Sequence, residues 1–177
     1  MTIRNIANHL EEIAPLKHAE DFDNVGLLIG DYNTKVTGIL VTLDTLEETI
    51  DEAITKNCNL IVSFHPIIFS GLKKINGNSY VERVVSKAIK NNIAIYATHT
   101  ALDNSKVGVS AKMCEVLGLI NYKILIPKEE TGIGMGMIGN LPEPMQEDDF
   151  LQYSKIIFNS GGVRFSKKIG RTIQKIA

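Results

Sequence analysis

The sequence predicts an α/β protein with a parallel or mixed sheet, helices on both faces and a site at the carboxyl ends of the strands. Three short apolar segments, 38–44, 60–64 and 93–98, alternate with two segments of helical spacing, 45–57 and 79–92. Strands that lack polar alternation are buried on both faces, which is typical of parallel strands covered by helices. The 177 residues, 44% of them hydrophobic, are enough for one packed core.

The helices and strands of this stretch also carry local signals. Residues 2–14 have apolar residues at helical spacing, and Thr2 can cap the helix that they predict. Residues 21–31 form a short apolar run between Asp, Asn and Gly, which predicts a strand entered by a turn. Ser79 is followed three residues later by Glu82, a spacing typical of a capping box at a helix start.

Beyond residue 104 the pattern predicts the start of a second α/β half. The predicted elements are a helix at 110–119, a strand at 122–126, a helix at 147–159, a strand near 163–166 and the opening of another strand at 171–177. A glycine-rich stretch with two prolines, 131–144, lies among them. We therefore expect one α/β lobe over 1–126, and over 127–177 the start of a second α/β half that is incomplete at its C-terminus.

Composition excludes several classes of partner. The 19 basic and 20 acidic side chains give a net charge of −1, so electrostatics offers no reason to expect binding to nucleic acid or to an anionic membrane. The sequence has neither a signal-peptide pattern nor an apolar run of roughly 18 residues. Cys58 and Cys114 lie far apart, and we expect both to be reduced thiols of a cytoplasmic protein.

Two histidines follow successive predicted strands. His65 comes directly after the segment 60–64, and His99 directly after 93–98. Parallel strands lie about 4.8 Å apart and end at the same edge of a sheet, where open α/β sheets bind ligands. Asp103, four residues beyond His99, could fold back beside it. Two imidazoles and a carboxylate suit an ion of the Zn, Fe, Mn or Ni class, although a histidine at a strand end is more often structural.

Two further patterns have competing interpretations. Asp44 closes the segment 38–44, and it is either an acceptor behind a metal ligand or, the interpretation that we favour, the cap of the next helix. Residues 134–139 match the GxGxxG pattern of dinucleotide-binding loops. That pattern requires a helix N-terminus directly after the glycines, whereas Pro142 and Pro144 follow here, so we reject it.

Several segments together resemble one known family. FDNVGLLIG (22–30), SFHPIIF (63–69) and THTALD (98–103) are similar to the signature segments of the hexameric dinuclear-metal-centre proteins, also called GTP cyclohydrolase I type 2 homologues. GMIGNLPEPM (136–145) and GGVRFSKKIG (161–170) resemble the later half of that family. The resemblance covers most of the chain, in the order that the family has.

The resemblance implies a homohexamer with two divalent ions in each subunit. The family's ligands come from a His-His-Pro segment, a His-Thr-x-x-Asp segment and a His with a Glu near the C-terminus. His65 matches the second histidine of the first segment, and His99 and Asp103 match the second segment. Phe64 stands where many members carry the first histidine, and nothing matches the C-terminal pair. We therefore expect one or two ions per subunit, bound by His65, His99 and Asp103.

The function that the resemblance implies is metal-dependent hydrolysis, with a nucleotide such as GTP as a possible substrate. No catalytic acid or base is assigned, because the sequence offers no candidate for either. A non-catalytic, hexameric metal-binding or regulatory scaffold is the alternative, and the missing histidine at Phe64 favours it. A plain α/β domain with a relict site is a third possibility.

Overall fold

The structure is a computed structural model that describes residues 1–128 and 132–177. It has two units, Met1–Leu102 and Asp103–Ala177, and each contains its own sheet. Among the described residues, no helix is both long enough and apolar enough to cross a membrane. Cys58 and Cys114 are both free.

A four-stranded sheet organises the first unit. Its elements in chain order are α1 (Ile3–Ile13), a 3-10 turn (Leu16–His18), β1 (Gly26–Ile29), β2 (Ile39–Thr42), α2 (Glu47–Thr55), β3 (Leu60–Ser63), α3 (Tyr80–Lys90) and β4 (Ala94–Ala97), and α4 (His99–Asp103) follows. The strand order is β1-β4-β3-β2, with β2, β3 and β4 parallel and β1 antiparallel to β4. The prediction of a parallel or mixed sheet is confirmed, and the sheet is mixed.

Helices cover both faces of this sheet, as the apolar strands predicted. Ile61 of β3 and Ile95 of β4 point to one face, where they pack with buried residues of α2 and α3. Leu60 and Tyr96 point to the other face and pack with buried residues of α1. Because successive side chains of a strand alternate between faces, burial on both sides accounts for the continuous apolar runs.

The cap predicted at the start of α3 is present, with Ser79 as the N-cap, although the Glu82 carboxylate bonds to the Ser79 hydroxyl and not to its backbone N–H. The Ser79 hydroxyl accepts the backbone N–H of Glu82 at 3.2 Å and donates to the Glu82 carboxylate at 3.1 Å. The same carboxylate accepts the backbone N–H groups of Asn76 and Asn78, each at 3.1 Å. The hydrogen bond from Asn76, together with those from Asn78 and Ser79, lowers the pKa of Glu82 below its ordinary value, although burial acts to raise that pKa.

A three-stranded antiparallel sheet organises the second unit. Its elements are α5 (Val109–Val116), β5 (Ile120–Pro127), β6 (Gly134–Met145), α6 (Glu147–Ile157) and β7 (Ile173–Ile176), with strand order β5-β6-β7. Cys114 of α5 packs with Leu119, Met137 and Leu141 in a buried cluster, against which Tyr153 of α6 is partly buried. Both helices therefore pack in one core with this sheet.

The two units divide the chain earlier than the domain boundary predicted between residues 126 and 127. The physical reason is that β5 pairs with β6 and therefore belongs to the second sheet. The predicted second half, 127–177, includes residues 129–131, which lie outside the described residues, as does the first residue of the glycine-rich stretch 131–144.

Two predictions in the second unit need correction or refinement. The strand predicted near 163–166 is wrong, because residues 161–172 contain no strand and β6 pairs with Ile173–Ile176 instead. The glycine-rich stretch is strand β6 from Gly134 onward, so its GxGxxG match lies within a strand. The pairing of β6 with β7 shifts between Asn140 and Met145, where two prolines lack the N–H that a regular ladder needs.

We expect Ser79→Ala to lower the free energy of unfolding by about 1 kcal/mol, because it leaves the N–H of Glu82 without its acceptor. Urea denaturation followed by circular dichroism measures this. Ser86→Ala, a substitution within the same helix, is the matched control and is expected to change stability by less than about 0.5 kcal/mol. Equal losses for the two variants would show that the cap does not stabilise α3.

Candidate metal centre

The register of the parallel strands brings both predicted histidines to one edge of the sheet. Ser63, the last residue of β3, pairs with Ala97, the last residue of β4. His65 and His99 each lie two residues further along. The parallel pattern continues past the strand ends, because the N–H of His99 donates to the carbonyl of Phe64 at 2.9 Å. The predicted position at the carboxyl ends of the strands is confirmed.

The two imidazoles are neighbours. Their ring centroids lie 5.4 Å apart, and the rings are inclined at 76°. Two imidazoles that bind one tetrahedral ion, with nitrogen–metal distances of about 2.0–2.1 Å, have centroids about 5 Å apart. The observed separation therefore fits a shared ion.

His99 is oriented by a buried carboxylate, that of Asp23. The His99 Nδ1 lies 2.9 Å from Oδ1 of Asp23, whose side chain is 0% exposed, whereas the His99 side chain retains 19% exposure. Thr100 donates to the other carboxylate oxygen through its backbone N–H and its hydroxyl. The strand β1 runs antiparallel to β4, so the residues before Gly26 pass the end of β4, and this places Asp23 there.

The hydrogen bonds of Asp23 decide its charge state. Burial alone would raise the pKa of this carboxyl, but the bonds from His99 and Thr100 and from the backbone N–H of Asn24 outweigh burial and hold the pKa below its ordinary value. Asp23 is therefore ionised at neutral pH. An ionised carboxylate only accepts hydrogen bonds, so the Nδ1 of His99 carries the proton.

His65 has a carboxylate partner of its own. Its Nδ1 lies 2.7 Å from Oδ1 of Asp44, and about half of each side chain is exposed. The interpretation of Asp44 as a helix cap is wrong, since the N-cap of α2 is Leu46 and the Asp44 carboxylate contacts His65 instead. Asp44 lies two positions beyond the end of β2, as His65 lies two positions beyond the end of β3, and the register therefore aligns them.

Both rings thus have a carboxylate on Nδ1, so in the neutral form of each ring the lone pair is on Nε2. This is the arrangement usual for metal-binding histidines, whose second nitrogen donates to a carboxylate or carbonyl that fixes the tautomer. The contact between His65 and Asp44 is about half exposed and therefore weak, whereas the contact between His99 and Asp23 involves a fully buried carboxylate.

The backbone at His99 adopts an unusual conformation. Its φ is +24°, whereas the other described non-glycine residues with positive φ are all asparagines, which tolerate this region. Such a conformation costs about 1–3 kcal/mol and persists where surrounding contacts hold it. Here the bonds of Asp23 to His99 and Thr100 hold it at the turn between β4 and α4.

Asp103 lies on the same short helix as His99. Helix α4 begins at His99 and ends at Asp103, and residues four apart occupy one face of a helix. Within residues 1–128 and 132–177, however, no three His, Cys, Asp or Glu side chains are grouped so that they could hold a metal ion. The structure brings His65 and His99 together, and the three-ligand set that includes Asp103 stays a prediction.

Phe64 occupies the space beside both imidazoles. Its ring centroid lies 4.9 Å from that of His65 and 5.5 Å from that of His99, with the ring edge-on to His99. A phenyl ring cannot coordinate a metal, so the side chain closes this part of the site with an apolar wall. Sequence reasoning placed Phe64 correctly beside the two histidines, but it gave no role to Asp23, whose signals were its place in FDNVGLLIG and before the strand Gly26–Ile29.

Comparison with known proteins identifies related chains. The family model for Duf34/NIF3 (NGG1p interacting factor 3) matches residues 1–177. Proteins named GTP cyclohydrolase 1 type 2 homolog are 36% identical in Clostridium perfringens and 33% identical in Clostridium acetobutylicum, over 100% of this chain and 68% and 67% of theirs. The crystal structure of a Staphylococcus aureus hypothetical protein superimposes with a TM-score of 0.92 at 29% identity, over 99% of this chain and 70% of that one.

We expect Asp23→Ala to lower the free energy of unfolding by about 2–3 kcal/mol, because it leaves buried donors of His99 and Thr100 without an acceptor. Urea denaturation measures the loss. Asp21→Ala removes an exposed carboxylate two residues away and is expected to cost less than about 0.5 kcal/mol. Similar stability of the two variants would contradict the role assigned to Asp23.

Proposed function

The chain belongs to the Duf34/NIF3 (NGG1p interacting factor 3) family, and on that premise we propose that it binds a divalent metal ion and acts as a metal-dependent hydrolase. The single observation that carries the proposal is the pair of imidazoles 5.4 Å apart, each with a carboxylate on Nδ1. The chain spans about two thirds of the length of the Clostridium relatives, whose names supply the hydrolase class.

The residues present fit an ion of the Zn, Fe, Mn or Ni class. His65 and His99 would hold it through Nε2, and Asp103 is the proposed carboxylate ligand. An ion of this class would supply a water of lowered pKa, the nucleophile needed for hydrolysis at an electrophilic carbon such as C8 of guanine. Phe64 excludes water from one side, while Asp23 and Asp44 hold the Nδ1 protons and so keep both rings in the binding tautomer.

Assembly and substrate complete the proposal. The chain forms a homohexamer, as the family resemblance implies, and its substrate is a nucleotide such as GTP. The protein is cytoplasmic and has neither membrane nor nucleic-acid partners. The relatives' names support GTP as the first substrate to test.

The second candidate function is a non-catalytic metal-binding or regulatory scaffold. The observation that favours it is Phe64, whose ring contacts both imidazoles at the position where many members carry a histidine. Losing a ligand weakens a two-metal reaction more than it weakens storage or sensing of a single ion. On this account the chain binds one ion and leaves nucleotides unchanged.

We expect the purified chain, dialysed against Zn²⁺ or Mn²⁺, to retain about one ion per chain by elemental analysis. His65→Ala and His99→Ala each remove one of two imidazoles and are expected to weaken binding more than about 100-fold, beyond the effect of losing an outer partner. Phe64→His supplies a further imidazole and is expected to increase the number of ions bound.

His9→Ala is the matched control for these variants. His9 also pairs with a carboxylate, that of Glu12 at 3.1 Å, but it lies on the exposed face of α1, far from the sheet edge. Its loss is expected to leave the bound metal unchanged. If His9→Ala and His99→Ala lose metal equally, or if the unaltered chain retains none, the metal proposal is overturned.

Incubation with GTP separates the two functions. If the chain hydrolyses GTP, one water attacks C8 and opens the imidazole ring to a formamide, and a second water hydrolyses the formamide to formate and an amine. Proton NMR detects the formate as the H8 signal disappears. We expect the metal-loaded protein to release formate, and we expect His99→Ala to release it at least about 100-fold more slowly. Metal-loaded protein that leaves GTP intact over hours would favour the scaffold instead.

A further inference from the structure

Two phenylalanines beside the candidate metal centre are exposed. Phe22 retains 65% and Phe69 retains 51% of its surface. Their ring centroids lie 6.4 Å apart at an angle of 53°, and the Phe69 ring lies 6.3 Å from His99, edge-on at 79°. We call this pair the aromatic wall. Phe69 contacts His99, and Phe22 contacts Phe69 on its other side, further from the imidazole.

The backbone that carries the aromatic wall is fixed. Asn24, two residues after Phe22, donates its side-chain N–H to the carbonyl of Ile68 at 2.6 Å, and so links the two segments. Asp23, next to Phe22, is bonded to His99 and Thr100. The backbone next to both residues is therefore anchored, while the rings themselves stay exposed.

Exposed and adjacent aromatic rings on an anchored backbone point to recognition. Scattered exposed apolar residues are common, but contiguous ones beside a polar site mark ligand or partner surfaces. Two rings inclined at 53° form an open angle, in which a planar ring can stack on one face and meet the edge of the other. Because Phe69 touches His99, a ring stacked on Phe69 lies beside the imidazoles.

We propose that the aromatic wall binds a planar heteroaromatic ring of purine size and holds it next to His65 and His99. The inference rests on the proposed function, because it takes the imidazole pair as the reacting side of the site. It adds the two side chains that bind the base of the proposed nucleotide substrate. A ligand without an aromatic ring gains nothing from the wall.

The test uses isothermal titration of the full chain with guanosine, and with ribose 5-phosphate as the probe that lacks a ring. We expect guanosine to bind at least about tenfold more tightly, the usual contribution of one stacked base. Phe22→Ala and Phe69→Ala are each expected to weaken guanosine binding about tenfold. Phe69→Leu keeps an apolar side chain without the ring and is expected to behave like Phe69→Ala, whereas Phe69→Tyr retains binding.

Tyr80→Ala is the matched control, because Tyr80 is an aromatic residue of the first unit with 52% exposure, on α3. It is expected to leave guanosine binding unchanged. The inference is overturned if guanosine does not bind, if it binds no better than ribose 5-phosphate, or if Phe69→Leu binds as the unaltered chain does. It is also overturned if Phe22→Ala and Phe69→Ala change the molecular mass in solution but not the affinity, since the wall would then be a subunit contact.

Repeating the titrations with and without EDTA separates this inference from the proposed function. The aromatic wall contains no metal ligand, so ring-dependent binding is expected to persist without metal. Ring-dependent binding in a chain that retains no metal would overturn the metal proposal alone. Metal binding without a preference for guanosine would overturn the aromatic wall alone.

Discussion

The parallel register of β2, β3 and β4 is the constraint on which the candidate metal centre depends. Because Thr42, Ser63 and Ala97 are aligned, the residues two positions later form a row at the carboxyl edge. That row consists of the carboxylate of Asp44 and the imidazoles of His65 and His99. A slip by one residue would turn each side chain to the opposite face of the sheet and separate the three groups. Burial of the strands on both faces prevents such a slip, so the hydrophobic core also sets the geometry of the site.

Asp23 fixes the orientation and the tautomer of the His99 imidazole. A strand end alone leaves an imidazole free to rotate and to choose its tautomer, whereas a buried carboxylate with several donors fixes both. The same carboxylate offsets the backbone strain at His99 by bonding to Thr100. Stability and site geometry are therefore coupled, because the bonds that hold the turn after β4 also hold the ring.

Part of this arrangement could be predicted from sequence. His65 and His99 were found because they follow apolar runs whose burial implies parallel pairing, and parallel pairing fixes which ends meet. Asp23 could not be found in this way. The run at Gly26–Ile29 is compatible with either strand direction, and only its antiparallel pairing with β4 carries Asp23 to the site.

In the second unit, the pattern of residues along the chain was not enough to predict every strand. The apolar and basic residues near 163–166 suggested a strand, but strands require a partner, and β6 pairs with Ile173–Ile176. The prolines of β6 gave no sign of a strand, because they are tolerated only where the ladder shifts, and a shift depends on the neighbouring strand. Asp44 was assigned to a cap for a similar reason: its partner, His65, is distant in sequence.

The central claim is that two carboxylates hold His65 and His99 with Nδ1 protonated and Nε2 free for a metal ion. Long-range proton–nitrogen correlation NMR of the imidazoles, at about pH 8 where histidines are neutral, tests it most directly. We expect the Nδ1-protonated tautomer at both residues in the metal-free protein. On addition of Zn²⁺ we expect their Nε2 signals to shift, while those of His9 do not. An Nε2-protonated tautomer at either residue, or Zn²⁺ shifts no larger than at His9, would contradict it.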